Sequence, residues 1–317
     1  MTDTQNEVFK SPVNKIRLFE HGAPGSQNLK LTRKYYTEDM PDGRVKHIVQ
    51  NITDPDIVPY IPDGIGNSTD RQRIPAVLII PGGAFRRLVY NFEGEDVAKW
   101  LNSMGIAAFV LECRLPSDEH DNAEDVPLID AMRAMRVIRG RAQEFGIDEA
   151  KIGVMGFSAG GFMAALLSTA YESDVYADYK YKDEYDKLSA RPDFAVCLYP
   201  VISIDDCIEA GKRYMSEEQV LERISDSKAK ILHKYNPDKL VRPDMPPVFI
   251  CETDDDRTTL SENSVGFYMA ARKAGVSAEL HIFRTGGHGY GCGDDFAQTG
   301  EWKVLFTKWI KSIGIIS

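Results

Sequence analysis

Residues 151–167, KIGVMGFSAGGFMAALL, change from a strand pattern to a helical pattern at one serine. The apolar run before Gly156 is typical of a buried strand, and the residues after Ser158 are typical of a helix. Gly156 and Gly160 flank Ser158 at two positions on either side, so they leave room for a very tight turn. This G-x-S-x-G arrangement is typical of a reactive serine held in a strained backbone conformation. A serine that only caps the helix is the alternative interpretation.

Short apolar segments alternate with amphipathic segments on both sides of this serine. The alternation predicts an α/β fold with a mostly parallel central sheet and helices on both faces. We expect residues 1–317 to form a single domain, with residues 1–30 as an N-terminal extension. The polar stretches 171–190 and 203–243 do not fit the alternation and are interpreted as insertions on the substrate side, at the carboxyl edge of the sheet. The predicted strands cover residues 45–52, 75–80, 105–112, 151–157, 194–202, 246–252 and 277–283, and the predicted helices cover 92–105, 127–147, 158–171, 261–274 and 301–312.

The composition argues against several classes of partner. The formal net charge of −10 means that nucleic acid and anionic membranes would be repelled by the field of the whole protein. A small neutral or weakly charged substrate fits this charge better. The sequence leaves the oligomeric state open, a homo-oligomer included.

The N-terminal residues and the cysteines indicate the cellular compartment. The first fifteen residues, MTDTQNEVFKSPVNK, are polar and lack the apolar stretch of a signal peptide. No segment approaches the length that a membrane-spanning helix needs. The five cysteines lie far apart without a metal-binding spacing, so we expect free thiols and no metal. We therefore expect a soluble cytoplasmic protein.

A reactive serine needs a base and an acid. A serine hydroxyl becomes a strong nucleophile when a histidine removes its proton, and a carboxylate orients that histidine. In this architecture both partners follow the serine in the chain. His281 lies inside a predicted strand, whereas His288 lies in the glycine-rich loop RTGGHGYG after it and is the preferred base. The candidate acids Asp254, Asp255 and Asp256 follow the preceding strand, and their spacing alone does not select one of them.

Acyl transfer to a serine also requires N–H donors for the negative charge that develops on the substrate oxygen. The backbone N–H of Ala159 is one candidate, because it follows the serine directly. Gly83 and Ala84, in the segment PGGAF after an earlier strand, are the others, since glycines let the backbone approach closely. A phosphate-binding loop is disfavoured because neither a GK[ST] sequence nor a G-x-G-x-x-G with a later acidic partner occurs.

Eight segments carry a family resemblance: APGS, PGGAF, EGEDVAKWLNSMGIAAFVLECRLP, DAMRAMRVIRGRAQEFGID, GFSAGG, RPDFAVCLYPVIS, DDDRTTLSENS and GGHGYG. Together they resemble the bacterial α/β-hydrolase esterases often described as acetyl-xylan esterases or xylanase-like lipase/esterases. The resemblance extends from about residue 16 to the last residue. It implies an α/β-hydrolase fold and hydrolysis of carboxylic esters, with acetylated sugars as the leading substrate class. It implies no metal and no organic cofactor.

The resemblance also assigns roles to individual residues. It makes Ser158 the nucleophile and His288 the base. Alignment of the segment ENS, residues 262–264, selects Asp256 as the acid, with Asp255 as the alternative.

Two loops depart from the pattern of this family. Ala84 and Phe85 stand where the family commonly has a third glycine and a tyrosine. Residues 257–259, Arg-Thr-Thr, stand where the family usually has proline and valine. Arg86, Glu93 and Asp96 also match family positions. We expect these residues to form structural ion pairs rather than to line the substrate cleft.

The combined prediction is a serine carboxylesterase that hydrolyses short-chain esters through an acyl-enzyme intermediate, with acetylated carbohydrates as the expected substrates. An amidase or peptidase-like serine hydrolase is one alternative, because the same groups cleave amides when the leaving group is protonated well. A hydrolase fold that only binds a ligand is the non-enzymatic alternative.

Overall fold

The computed structural model describes residues 9–65, 73–216, 218–220, 230–293 and 298–317. Its strands are β1 (Ile16–Arg17), β2 (Lys34–Asp39), β3 (Val45–Gln50), β4 (Asp56–Tyr60), β5 (Ile74–Ile80), β6 (Leu88–Val89), β7 (Ala107–Glu112), β8 (Ile147–Phe157), β9 (Ala195–Leu198), β10 (Val248–Thr253) and β11 (Ala278–Phe283). Its α-helices are α1 (Asp96–Ser103), α2 (Val126–Gly140), α3 (Ala142–Phe145), α4 (Ala159–Ala170), α5 (Ile204–Tyr214), α6 (Lys230–Lys234), α7 (Ser261–Lys273) and α8 (Trp302–Ser312).

The main sheet has the strand order β1-β4-β7-β5-β8-β9-β10-β11. The strands β7, β5, β8, β9, β10 and β11 run parallel, whereas β1 and β4 pair antiparallel at one edge. Every residue of β7 and β10 is buried, which is expected for strands covered on both faces. The prediction of a mostly parallel sheet is therefore confirmed. A smaller antiparallel sheet contains β2, β3 and β6.

The helices lie on both faces of the main sheet. In the sheet, β7 and β8 lie on either side of β5, so the connection from β5 to β7 and the connection from β7 to β8 run in opposite directions. Because both crossovers are right-handed, they place α1 and α2 on opposite faces of the sheet. On one face α1 packs against α8, where the rings of Trp100 and Trp302 lie 4.9 Å apart. On the other face α2 contacts α4.

Parallel strands bring several loops to one edge of the sheet. The last residues of β5, β8, β10 and β11 are Ile80, Phe157, Thr253 and Phe283. The candidate oxyanion segment, the serine, the aspartates and His288 each follow one of these strands. They therefore converge at the carboxyl edge, where open α/β sheets carry their functional sites.

Several predicted boundaries are wrong, and two of them have a clear cause in the backbone conformation. The helix predicted over 127–147 ends at Gly140, because Arg141 leaves the helical conformation with φ −102° and ψ 16°. The short α3 and a left-handed Gly146 follow, and β8 begins at Ile147. The strand predicted over 194–202 covers only β9, because Tyr199 has φ 37°, which no strand residue adopts.

The polar stretches contain contacts that the alternation did not reveal. Residues 203–243 include α5 and α6. Residues 171–190 contact α2, since Arg133 donates a hydrogen bond of 2.7 Å to Asp183 and Arg136 donates one to Tyr176. These contacts join the stretch 171–190 to the helical layer. The place of both stretches on the substrate side stays a prediction.

The N-terminal extension is tied to the core. Leu18 and Phe19 are buried, and β1 pairs with β4. The guanidinium of Arg114 donates to the Pro24 carbonyl and to Ser26 Oγ, while a 2.6 Å ion pair joins it to Asp130. A buried charge is stable only when it is paired in this way, so these bonds fix the segment APGS against α2.

Within the described ranges, no helix is both long and apolar enough to cross a bilayer. The same ranges contain no cluster of three histidine, cysteine or carboxylate side chains that could hold a metal ion.

Candidate active site

Ser158 occupies a strained turn between β8 and α4. Its φ of 53° and ψ of −118° are unusual for a residue with a side chain. A Cβ atom on Gly156 would overlap the carbonyl oxygen of Gly160, and one on Gly160 would overlap that of Ile80. The two glycines are therefore required by sterics. The Ser158 hydroxyl makes no capping hydrogen bond with α4, so the helix-cap interpretation does not apply.

The variant Gly160→Ala tests this turn. We expect it to lower the free energy of unfolding by several kcal/mol and to abolish ester hydrolysis, since the new methyl group must push the end of β5 away from Ser158. Urea unfolding and p-nitrophenyl acetate hydrolysis measure the two effects. Gly266→Ala is the matched control, because Gly266 is exposed in α7 and a methyl group there would meet open space. This control should gain up to about 1 kcal/mol of stability. Equal stability of both variants would contradict the steric argument.

His288 lies within hydrogen-bond distance of both Ser158 and Asp256. His288 Nε2 is 2.8 Å from Ser158 Oγ, and His288 Nδ1 is 2.6 Å from Asp256 Oδ2. Ser158 is 8% exposed and Asp256 is 2% exposed, whereas the His288 side chain is 21% exposed. A base thus lies between a nearly buried hydroxyl and a buried carboxylate, which is the geometry that activates a serine nucleophile.

The environment of Asp256 favours its charged form. Asp256 Oδ1 accepts hydrogen bonds from the backbone N–H groups of Thr258, at 2.7 Å, and Thr259, at 3.0 Å. Burial alone would raise the pKa of Asp256, but the hydrogen bond and charge of His288 and these two backbone donors lower it below its usual value. A proline at either threonine position would lack the N–H. The backbone N–H groups of Thr258 and Thr259 thus stabilise the charged carboxylate of Asp256.

The neighbouring aspartates lie differently. Asp255 Oδ1 accepts a 2.8 Å hydrogen bond from the backbone N–H of Gly287, so it holds the loop that carries His288. The side chain of Asp254 is exposed. Of the three adjacent carboxylates, the structure brings Asp256 to the imidazole.

A second buried carboxyl group lies four residues before Asp256. Glu252 accepts hydrogen bonds from the backbone N–H of Thr253 at 2.9 Å and from Ser264 Oγ at 3.3 Å. Burial, followed by the negative charge of Asp256, raises the pKa of Glu252 well above its usual value. Burial thus favours the neutral form of Glu252, whereas the hydrogen bonds of Asp256 favour its charged form.

The segment PGGAF lies against the serine. A Cβ atom added to Gly82 would be 3.0 Å from Ser158 Cβ, so the backbone approaches the serine as closely as a glycine allows. Gly83 and Ala84 follow directly, with φ values of 138° and 57°. Ala84 thus adopts a left-handed conformation that is unfavourable for a residue with a side chain. Ala159 follows Ser158 directly in the chain, and Gly83 and Ala84 follow Gly82, which lies against Ser158. Each of the three predicted donor residues is therefore next to the serine or in the segment that contacts it.

The roles of Glu93 and Tyr199 do not follow from the sequence pattern. Glu93 is 5% exposed and accepts hydrogen bonds from Gly82 N–H at 2.8 Å and from the Tyr199 hydroxyl at 2.9 Å. Burial raises the pKa of Glu93, while the hydrogen bond from Tyr199, the charge of His288 and the Gly82 N–H oppose that effect. Its partners are uncharged groups rather than the ion-pair partner that we expected. The segment EGED gave a signal for Glu93, but nothing in the sequence linked it to Tyr199.

Comparisons with known proteins show the family of this chain. The BD-FAE family model matches residues 65–270. The chain is 31% identical over 240 residues to an acetylxylan esterase of Xylanibacter ruminicola, and the match covers 75% of this chain. It is 30% identical over 227 residues, or 71% of this chain, to endo-1,4-beta-xylanase B of Butyrivibrio fibrisolvens.

A solved structure supports the same assignment. The crystal structure of an acetyl ester-xyloside bifunctional hydrolase from Caldicellulosiruptor lactoaceticus is 34% identical, with a TM-score of 0.70. The match covers 96% of this chain and 97% of that chain. By contrast, the alignments cover only 45% of the acetylxylan esterase and 34% of the xylanase, so the chain spans less than half the length of these relatives. The resemblance to acetyl-xylan esterases is confirmed, and the chain belongs to the BD-FAE family with the α/β-hydrolase fold.

Proposed function

We propose that this chain is a serine carboxylesterase that hydrolyses short-chain esters, with acetylated carbohydrates as its substrates. The observation that carries the proposal is the pair of contacts at His288, 2.8 Å to Ser158 Oγ and 2.6 Å to Asp256 Oδ2. The names of two relatives, an acetylxylan esterase and an acetyl ester-xyloside bifunctional hydrolase, support the substrate class.

In the first half of the proposed reaction, Ser158 Oγ attacks the carbonyl carbon of the ester while His288 Nε2 takes the hydroxyl proton. Asp256 orients the imidazole and stabilises the imidazolium through Nδ1–H. The developing oxyanion accepts hydrogen bonds from the backbone N–H groups of Gly83, Ala84 and Ala159. The bond to the alcohol then breaks, and His288 donates the proton to the leaving oxygen.

The second half releases the acid. A water molecule gives a proton to His288 and attacks the acyl group on Ser158 through a second oxyanion. The bond to Ser158 Oγ breaks, and His288 returns the proton to it. These steps balance with water as the only co-reactant, so the proposal includes no metal and no organic cofactor.

We also infer that residues 1–317 form one domain that acts in the cytoplasm, with residues 171–190 and 203–243 on the substrate side. The continuous core of the main sheet supports a single domain. The free cysteines, of which Cys113, Cys197 and Cys251 are buried, support a reducing compartment.

A substrate panel tests this proposal. We expect the protein to release acetate from acetylated xylo-oligosaccharides and to cleave p-nitrophenyl acetate with a higher kcat/KM than p-nitrophenyl octanoate. Faster cleavage of a matched anilide than of the ester would favour the amidase alternative. A protein that neither cleaves the panel nor reacts with a fluorophosphonate at Ser158 would favour the ligand-binding alternative.

A further inference from the structure

Glu93 lies between the two loops that surround the candidate catalytic serine. It belongs to a π-helical turn, Asn91–Glu95, that precedes α1. Its Oε2 accepts from the N–H of Gly82, the residue before the candidate oxyanion donors, at 2.8 Å. Its Oε1 accepts from the Tyr199 hydroxyl at 2.9 Å. One buried carboxyl group thus binds the loop after β5 and the residue that follows β9.

Tyr199 continues the connection to the histidine loop. Its hydroxyl accepts a 3.0 Å hydrogen bond from the backbone N–H of Gly291, three residues beyond His288. Its ring meets the imidazole of His288 edge to face, with the ring centres 5.0 Å apart. The ring of Tyr290 also packs against Tyr199, with the ring centres 4.5 Å apart. Tyr199 is fully buried, so these contacts fix its position.

We propose that Glu93 is a positioning residue, which acts through Gly82 and Tyr199 to hold the oxyanion loop and the His288 loop in register with Ser158. This inference rests on the proposed esterase function and adds a residue to its site.

Burial makes the hydrogen bonds around Glu93 energetically important. Every polar atom in this chain of contacts, from Gly82 N through Glu93 and Tyr199 to Gly291 N, has a partner in protein and little access to water. Removal of the central acceptor leaves a buried donor without a partner, which is costly, and both loops can then relax. Small displacements of donors and bases strongly reduce catalysis. Because Glu93 lies beneath the loops, its loss should affect the chemical step more than substrate binding.

Two variants and one control test the proposal. Glu93→Gln is nearly isosteric, but its amide nitrogen cannot accept, so either Gly82 N–H or the Tyr199 hydroxyl loses its acceptor. Tyr199→Phe removes only the hydroxyl and keeps the ring against His288. Glu95→Gln is the matched control, because Glu95 lies in the same turn and pairs at 2.7 Å with the exposed Lys99. Titration with a fluorophosphonate counts reactive serines, which separates slower chemistry from loss of folded protein.

We expect kcat per titrated serine for p-nitrophenyl acetate to fall about tenfold or more in Glu93→Gln, with KM changed by no more than about threefold. Tyr199→Phe should show the same split with a smaller loss, and Glu95→Gln should match the wild type. The rate of fluorophosphonate labelling should fall in parallel with kcat.

The proposal would be overturned if kcat per titrated serine had its wild-type value in Glu93→Gln and Tyr199→Phe. It would also be overturned if total activity fell only in proportion to the number of reactive serines. If Glu93→Gln yields no reactive serine, Tyr199→Phe decides between the two outcomes. Failure of the proposed function itself gives a different result. In that case the wild type is inactive on every ester, or Ser158→Ala remains active.

Discussion

Ser158→Ala is expected to lower kcat for p-nitrophenyl acetate by about 10⁴-fold to 10⁶-fold, the range found when a catalytic serine is removed. The physical reason is the loss of the atom that forms the acyl-enzyme in the proposed mechanism, since Ser158 Oγ lies 2.8 Å from His288 Nε2. The residual rate should come from the oxyanion donors and from binding alone. Steady-state kinetics with an active-site label as a second readout measure the loss.

A second serine supplies the matched control for this experiment. Ser168 is also in the segment that follows β8, is fully buried in α4, and donates a 2.7 Å hydrogen bond to the Ala164 carbonyl. Ser168→Ala makes the same chemical change in the same helix, away from His288. It should keep kcat within about threefold of the wild-type value. A Ser158→Ala protein that keeps its circular dichroism spectrum and its full activity would refute the proposed nucleophile.

Asp256→Asn is expected to lower kcat by about 10³-fold to 10⁴-fold, the size of effect seen when the acid of such a triad becomes an amide. The amide cannot stabilise the imidazolium and can reverse the tautomer that His288 needs. Asp255→Asn is the matched control. Because Asp255 contacts Gly287 N–H and not the imidazole, we expect a loss of about tenfold or less. A larger loss in Asp255→Asn than in Asp256→Asn would reverse the assignment of the acid.

The Asp256→Asn variant has a pH signature in stability. The pKa of Asp256 is lower in the folded chain than its usual value, so the folded state gains stability from this carboxylate above about pH 4. That contribution is lost as the pH falls through the folded-state pKa. The difference in unfolding free energy between wild type and Asp256→Asn should therefore shrink below about pH 4 in urea titrations. A difference that grows on acidification would contradict this linkage.

The central fold was predictable because its strands are buried on both faces. The segments that form β5, β7 and β10 are continuous apolar runs, and such runs predict parallel strands between helices. Four peripheral strands escaped prediction: β1 and β6 have only two residues each, and β2 and β4 lack such an apolar run. The segments KYYTED of β2 and DIVPY of β4 mix polar, aromatic and proline residues, and they pair antiparallel outside the parallel set. Local pattern carries little information about such strands.

The candidate site was predictable where local geometry demands particular residues. The glycines beside Ser158 are required by close backbone contacts, and those beside His288 have positive φ values, so both sets leave a visible pattern in the sequence. The choice among three adjacent aspartates leaves no such pattern, because it depends on which carboxylate meets the N–H groups of residues 258–259. The contact between Glu93 and Tyr199 joins residues 106 positions apart, and the backbone of Tyr199 turns where the apolar sequence continues. Neither fact follows from a local pattern.

The four-residue strand β9 divides the proposed chemistry into two modules. The nucleophile and the oxyanion loop precede β9 on β8 and β5, whereas the acid and the base follow it on β10 and β11. Inside the second module, Thr253 Oγ1 donates to the Gly287 carbonyl at 2.9 Å, so its two loops are already joined. The connection from β9 to β10 begins with Tyr199, which links the two modules through its hydrogen bonds with Glu93 and with the Gly291 N–H. Changes of length or sequence beyond Tyr199 should therefore alter which molecules reach the serine without altering the reaction itself, as long as Tyr199 is kept.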